Sequence, residues 1–252
     1  MTRKQTSMRR KTKQVIIIAL LATVLLVVIG GTVYINTYYC AGESAVQAMV
    51  SSDQVTVNKT EDGVIIFAPS KPSAGVIFYP GGKVEYTAYS PLMRACAERG
   101  ILCVLIKMPC NLAVLDSNAA DGIAEQYPDI ETWFIGGHSL GGAMAASYAA
   151  GHSDELDGLI LLAAYSTEDL SGSDLAVLSI YGSEDQVLNR GKYESYKKNL
   201  PANMDEVVID GGCHAGFGVY GPQDGDGIPT ITSEEQIIRT AEEIHSAISK
   251  IL

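Results

Sequence analysis

Short apolar, β-branched runs alternating with helix-length segments restrict the fold of this chain more than any other feature. The runs 55–58, 64–69 and 76–82 read as strands, 89–100 as a helix and 101–106 as a strand. Residues 117–127 read as a helix, 132–137 as a strand, 139–151 as a helix, then 158–164 and 175–182 as strands, 189–199 as a helix and 205–210 as a strand. Near-continuous apolar strands separated by helices imply an α/β fold whose mostly parallel sheet is covered by helices on both faces. A last helix starts at Ser233, read as an N-cap with Gln236 completing a capping box. Its apolar positions Ile237, Ala241, Ile244, Ile248 and Ile251 recur every three or four residues, so one face docks on the sheet. No repeat or Gly/Pro-rich linker interrupts residues 50–252, so a single domain over 55–252 is expected.

Such a sheet places reactive groups at the C-terminal ends of its strands, where loops open onto a crevice. Gly137-His138-Ser139-Leu140-Gly141 falls there, between a strand and a helix. It has the G-x-S-x-G form of a sharp turn that pushes the serine side chain out of the backbone. Side chains at 137 and 141 would collide where strand and helix approach. The turn also sets Ser139 at a helix N-terminus, where unpaired N–H groups favour developing negative charge. A glycine-serine turn can be only a turn, so the remaining residues decide its meaning.

A hydroxyl nucleophile needs a base, and an imidazole held by a carboxylate supplies one. Of the four histidines, His138 adjoins the serine, His152 follows a helix and His245 lies in the last helix; each reads as structural or solvated. His214 lies on a glycine-rich loop directly after a strand and is the expected base. Asp185 ends a strand on the correct side and is the expected acid, with Glu184 its near alternative. The order Ser139, Asp185, His214 matches a hydrolase fold. The amides expected to hold an oxyanion are those of Leu140 and, from the loop after residue 79, Gly82, with Lys83 next. Glu85, Cys110, Asn111 and Phe217 stand on loops around the same crevice and are candidates to line it.

The N-terminus belongs to different surroundings. Residues 1–14 carry six basic side chains and no acid, which leaves −17 on the remainder of a chain whose net charge is −11. A body this acidic repels phosphate backbones, so nucleic acid is excluded as a partner. Residues 15–35 hold no charge, and as a helix they span roughly 31 Å, about the hydrocarbon thickness of a bilayer. Expected are a basic cytoplasmic tail over 1–14, a transmembrane signal-anchor over 15–35 and a juxtamembrane linker over 36–54. The positive-inside rule then puts the folded body outside the cytoplasm, on a bacterial surface by the sum of these features. A cleaved signal peptide is the competing reading, but its apolar core is usually about 7 to 15 residues long.

Five cysteines are too few and too dispersed for a disulfide scaffold or a zinc knuckle. A bridge between Cys110 and Cys213 is conceivable, since both loops leave the same edge of the sheet. Asp224-Gly225-Asp226-Gly227 invites a calcium reading, but Ile228 and Pro229 stand where a ligand and a glycine are needed. It reads as a turn, and no metal or organic cofactor is expected.

Taken together, residues 79–85, 111–121, 136–146, 178–188 and 211–227 resemble the α/β-hydrolase superfamily, in particular the alpha/beta hydrolase fold-5 group related to dienelactone hydrolases. That resemblance implies a serine nucleophile at Ser139, His214 as base, Asp185 as its orienter and an acyl-enzyme cleared by water. The resemblance is not specific for a substrate; the expected reaction is hydrolysis of a carboxylic ester or related acyl compound, a small-molecule acyl substrate. Dienelactone hydrolases use cysteine as nucleophile where this chain has Ser139, so their substrate is not implied. Only residues 165–174 separate two strands where a cap would insert, so the crevice is expected to be open. The alternative is a catalytically silent hydrolase shell acting as a binding module at the membrane surface.

Overall fold

The computed structural model describes residues 3–252, with side chains from residue 13 onward except at 15. It divides into an N-terminal helix, ending before Tyr39, and a compact unit from Tyr39 to Leu252. The helix α1 runs from Arg3 to Asn36 and includes the basic stretch as far as it is described. Its apolar part, Ile16–Asn36 among the described residues, is long and apolar enough to cross a membrane. Within it, the hydroxyls of Thr23 and Thr32 donate to the carbonyls of Ala19 and Val28 at 3.0 and 2.8 Å. Such bonds satisfy the polar atoms inside the helix, as an apolar solvent requires.

The compact unit contains the strands β1 (Val55–Lys59), β2 (Ile65–Pro69), β3 (Ala74–Tyr79), β4 (Ile101–Leu105), β5 (Trp133–His138), β6 (Gly158–Leu162), β7 (Ala176–Gly182) and β8 (Asp205–Ile209). They form one sheet in the order β1-β2-β4-β3-β5-β6-β7-β8. The pairs β1·β2 and β2·β4 are antiparallel and all later pairs parallel. The helices are α2 (Glu43–Ala48), α3 (Ser90–Ala97), α4 (Leu140–Gly151), α5 (Arg190–Tyr196) and α6 (Ser233–Ser249). This is the expected α/β-hydrolase architecture.

The inner strands β3 to β7 read as near-continuous apolar runs because both faces are buried, and their alternation assigns side chains to two cores. Leu159 and Leu161 of β6 join Ile135, Ala145 and Ala149 in the core under α4. Ile160 and Leu162 point the other way, into a core shared with Phe134, Leu92 and Met93 of α3, and Ile237, Ala241, Ile244 and Ile248 of α6.

Three local expectations are corrected. Residues 117–127 form no α-helix; a 3-10 turn at Ala124–Gln126 is the regular piece. Gly122 has φ +70°, Pro128 disfavours helical backbone at Tyr127, and the Tyr79 hydroxyl holds the segment by donating to Ser117 O and accepting from Ala120 N–H, both at 2.9 Å. The capping box of α6 sits one residue earlier, with Thr232 as N-cap: Glu235 N–H donates to Thr232 Oγ1 at 3.1 Å and Thr232 N–H to Glu235 Oε2 at 2.9 Å. Ile251 lies beyond the helix end and is exposed.

The linker expected over 36–54 is folded from Tyr39 on. Tyr39 N–H donates to Lys83 O and Glu85 N–H to Tyr39 O, each at 2.8 Å, while Gly42 N–H donates to Val219 O at 2.7 Å. Ala45 and Ala48 of α2 are buried, and Arg94 Nε donates to Ala48 O at 2.7 Å.

Candidate active site

Ser139 sits between β5 and α4 with φ 52° and ψ −119°. A non-glycine residue held there stores strain that only surrounding structure can maintain. The glycines show how it is maintained. A Cβ on Gly137 would lie 2.5 Å from Gly141 C, and one on Gly141 would lie 2.3 Å from both Tyr79 O and Pro80 O. The start of α4 therefore rests on the backbone of β3 and its exit loop, as the sequence reading required. Ser139 itself is half-exposed, so its hydroxyl can be reached from solvent.

The expected base and acid meet beyond the strand ends. Asp185 follows β7 and His214 follows β8, and His214 Nδ1 lies 2.9 Å from Asp185 Oδ2 with both side chains buried. The other oxygen, Asp185 Oδ1, accepts from Val187 N–H at 2.9 Å and Leu188 N–H at 2.8 Å. These bonds fix the carboxylate and leave one face for the imidazole. Glu184, the alternative acid, has its carboxylate on the Ser183 hydroxyl at 3.0 Å. His214 Nε2 is buried and has no hydrogen-bond partner, so Ser139 Oγ is not bonded to it in the resting arrangement.

His138, read from sequence as a bystander, is part of the cluster. Its ring lies 4.5 Å from that of His214 and 5.5 Å from that of Phe217. Its Nδ1 is 2.8 Å from the Tyr89 hydroxyl, which accepts from Gly81 N–H at 3.1 Å. Burial, with the neighbouring His214 ring, holds the His138 pKa well below the usual imidazole value and so favours the neutral ring. Only its adjacency to Ser139 could have signalled this.

The loop between β3 and Tyr86 approaches the serine turn closely. A Cβ on Gly82 would lie 2.8 Å from Leu140 Cδ2 and 3.2 Å from Leu140 Cβ. Leu140 is the first residue of α4, where an N–H has no intrahelical acceptor. Lys83 does not qualify as the second donor, because its N–H is engaged by Asn111 O at 2.8 Å. The crevice-lining candidates also divide. Asn111 is at the loop through that carbonyl and Cys110 is exposed beside it. Glu85 is turned away, its carboxylate accepting from Ala41 N–H and the Thr87 hydroxyl, both at 3.0 Å. Phe217 is wholly buried behind His138. Cys213 is buried and all five cysteines are free, so the conceived Cys110–Cys213 bridge is not formed. Burial and the Asp226 carboxylate push the Cys213 thiol up to about 11.

Gln236 was missed because the sequence assigned it to a cap. Its amide is buried and clasps the residue before the histidine, accepting from Cys213 N–H at 3.0 Å and donating to Cys213 O at 2.9 Å. Among the described residues, no group of three His, Cys, Asp or Glu could hold a metal ion.

A strained serine turn after the central strand β5, with a buried carboxylate–imidazole pair on the loops after β7 and β8 of the same sheet, defines the class as a hydrolase-type α/β fold. The family model described as alpha/beta hydrolase family matches residues 75–238, and the chain belongs to that family. Among solved structures, it is similar to a dienelactone hydrolase from Anabaena variabilis at 12% identity and TM-score 0.57, covering 78% of this chain and 98% of that one. Est1E from Butyrivibrio proteoclasticus is similar at 15% identity and TM-score 0.54, covering 78% and 100%. A predicted CIB-like hydrolase from Thermoplasma acidophilum is similar at 13% and TM-score 0.53, covering 76% and 99%. At these identities the likeness establishes the fold. No curated protein matches the chain.

Proposed function

We propose that the chain is a serine hydrolase that cleaves a small carboxylic ester or related acyl compound, with Ser139 as nucleophile, His214 as base and Asp185 as its orienter. The observation that carries this reading is the buried Asp185–His214 bond on the loops after β7 and β8, at the same end of the sheet as the strained Ser139 turn after β5. Ser139 Oγ attacks the acyl carbon as His214 Nε2 takes its proton, and Asp185 stabilises the imidazolium through Nδ1. The unpartnered Nε2 is available for that proton, and the Oγ–Nε2 contact closes when substrate binds. The N–H groups of Leu140 and Gly82 hold the oxyanion, each worth about 100-fold or more in kcat. Collapse returns the proton to the leaving group, and water then clears the acyl-serine by the same steps in reverse order.

The dienelactone hydrolase among the similar structures supports acyl hydrolysis as the reaction class. The short connection between β6 and β7 supports an uncapped, open crevice. The apolar helix α1 supports retention at a membrane, with the basic N-terminus cytoplasmic and the compact unit outside.

The test is active-site labelling of the full-length chain with a fluorophosphonate probe. Labelling that Ser139→Ala abolishes is the expected result. A folded chain that does not label is instead a binding shell.

A further inference from the structure

The turn 224–227, which the function above does not use, lies against both loops that carry the acid and the base. Asp226 Oδ1 accepts from His214 N–H at 3.2 Å, Gln186 N–H at 3.3 Å and Gly227 N–H at 2.8 Å, and Oδ2 accepts from Ala215 N–H at 2.9 Å. Gln186, Val187 and Leu188 thus give consecutive amides to two carboxylates, the first to Asp226 and the next two to Asp185. A Cβ on Gly227 would lie 1.9 Å from Glu184 O, so only glycine lets this turn close on the acid loop.

We propose that Asp226 is a positioning residue: one carboxylate that clasps the His214 loop to the Asp185 loop and so sets the imidazole–carboxylate bond. This deepens the proposed function and rests on Ser139, His214 and Asp185 being the reacting groups. The geometry explains why a carboxylate is required. Four N–H groups converge on two oxygens, and an amide in its place turns an NH₂ toward at least one of them. Burial opposes the charge, but the amides of Ala215, Gly227, His214 and Gln186 outweigh it and hold Asp226 below the usual carboxylate range.

The test compares full-length wild type, Asp226→Asn, Gly227→Ala and Asp224→Asn in detergent. Its readouts are the rate of fluorophosphonate labelling, kcat and KM on p-nitrophenyl acetate, and the downfield proton resonance of the His214–Asp185 bond. Asp224 is exposed and its side chain makes none of these contacts, so Asp224→Asn behaves as wild type. Asp226→Asn lowers labelling and kcat by about 10- to 100-fold, as expected of a base displaced by a fraction of an ångström, with KM little changed. Its downfield resonance shifts or broadens. Gly227→Ala strains the same clasp without altering the carboxylate and is expected to lower labelling as well; it decides the matter if Asp226→Asn does not fold. Wild-type labelling rates in whichever of the two variants folds overturn the proposal while leaving the triad standing. If wild type itself does not label, the catalytic reading fails separately, and an unshifted resonance in Asp226→Asn or Gly227→Ala then overturns the clasp.

Discussion

Replacing Gly141 by alanine probes the contact on which the serine turn depends. The added methyl would start 2.3 Å from two backbone oxygens, Tyr79 O and Pro80 O, and 2.7 Å from Tyr79 C. Neither oxygen can rotate away, since both belong to the end of β3 and its exit loop. Relief to an ordinary contact requires α4 and that loop to part by about 1 Å, a shift that overpacked sites accommodate at roughly 1–3 kcal/mol. For a unit of this size that lowers Tm by about 2 to 12 °C. The same movement separates Leu140 from Gly82, so labelling by a fluorophosphonate falls by about 100-fold. Gly151→Ala is the internal control: it lies at the other end of α4 with nothing within 4 Å of its Cβ, and helix propensity makes it neutral or slightly stabilising. Calorimetry and labelling kinetics on the two variants decide the point. A Gly141→Ala chain with wild-type Tm and labelling rate would refute the claim that backbone contact shapes the turn.

Two further predictions concern pH and topology. Glu206 and Asp226 are held below the usual carboxylate range, against burial, by Lys197 and by backbone amides respectively, so at acid pH the unfolded chain binds more protons than the folded one. Their contribution is complete above the ordinary range near 4 and is lost as pH falls through the folded values; buried His138 adds a loss of the same sign that begins near 6.5. Tm therefore falls steadily from neutral to acid pH, and a flat profile contradicts this. Cys40 and Cys110 are exposed and the other three thiols buried, so a membrane-impermeant maleimide labels intact cells at those two positions if the compact unit is outside. Labelling that appears only after permeabilisation reverses the proposed topology.

The sheet and the serine turn were legible because each rests on a local rule. Strands buried on both faces must be apolar throughout, and Gly137 and Gly141 are dictated by backbone contacts within a few ångströms. Position at the C-terminal ends of strands, together with chain order, selected Asp185 and His214, which the fold brings to 2.9 Å. What stayed hidden depends on partners distant in sequence. Residues 117–127 have helix-like composition, yet Tyr79 ties their amides from another strand. Both Thr232–Glu235 and Ser233–Gln236 satisfy the capping pattern, and the choice between them follows from Gln236 being needed at Cys213. Lys83 lost its role to a carbonyl on a third loop, Asn111 O.

These hidden partners share a physical cause. The crevice is built from irregular loops, and each loop turn leaves amides that no strand or helix pairs. Buried amides without partners cost about 1–3 kcal/mol each, so the fold must supply acceptors from elsewhere. Gln236 comes from α6 for Cys213, Asp226 from a distal turn for His214, Ala215 and Gln186, and Glu85 binds Ala41 of the entering segment. Each acceptor answers a local deficit of one or more amides, and Gln236 and Asp226 also fix the loops that carry the proposed base and acid. The position of the His214 loop thus comes from satisfying backbone polarity nearby, and under the proposed function a side chain that touches no substrate helps to set the rate.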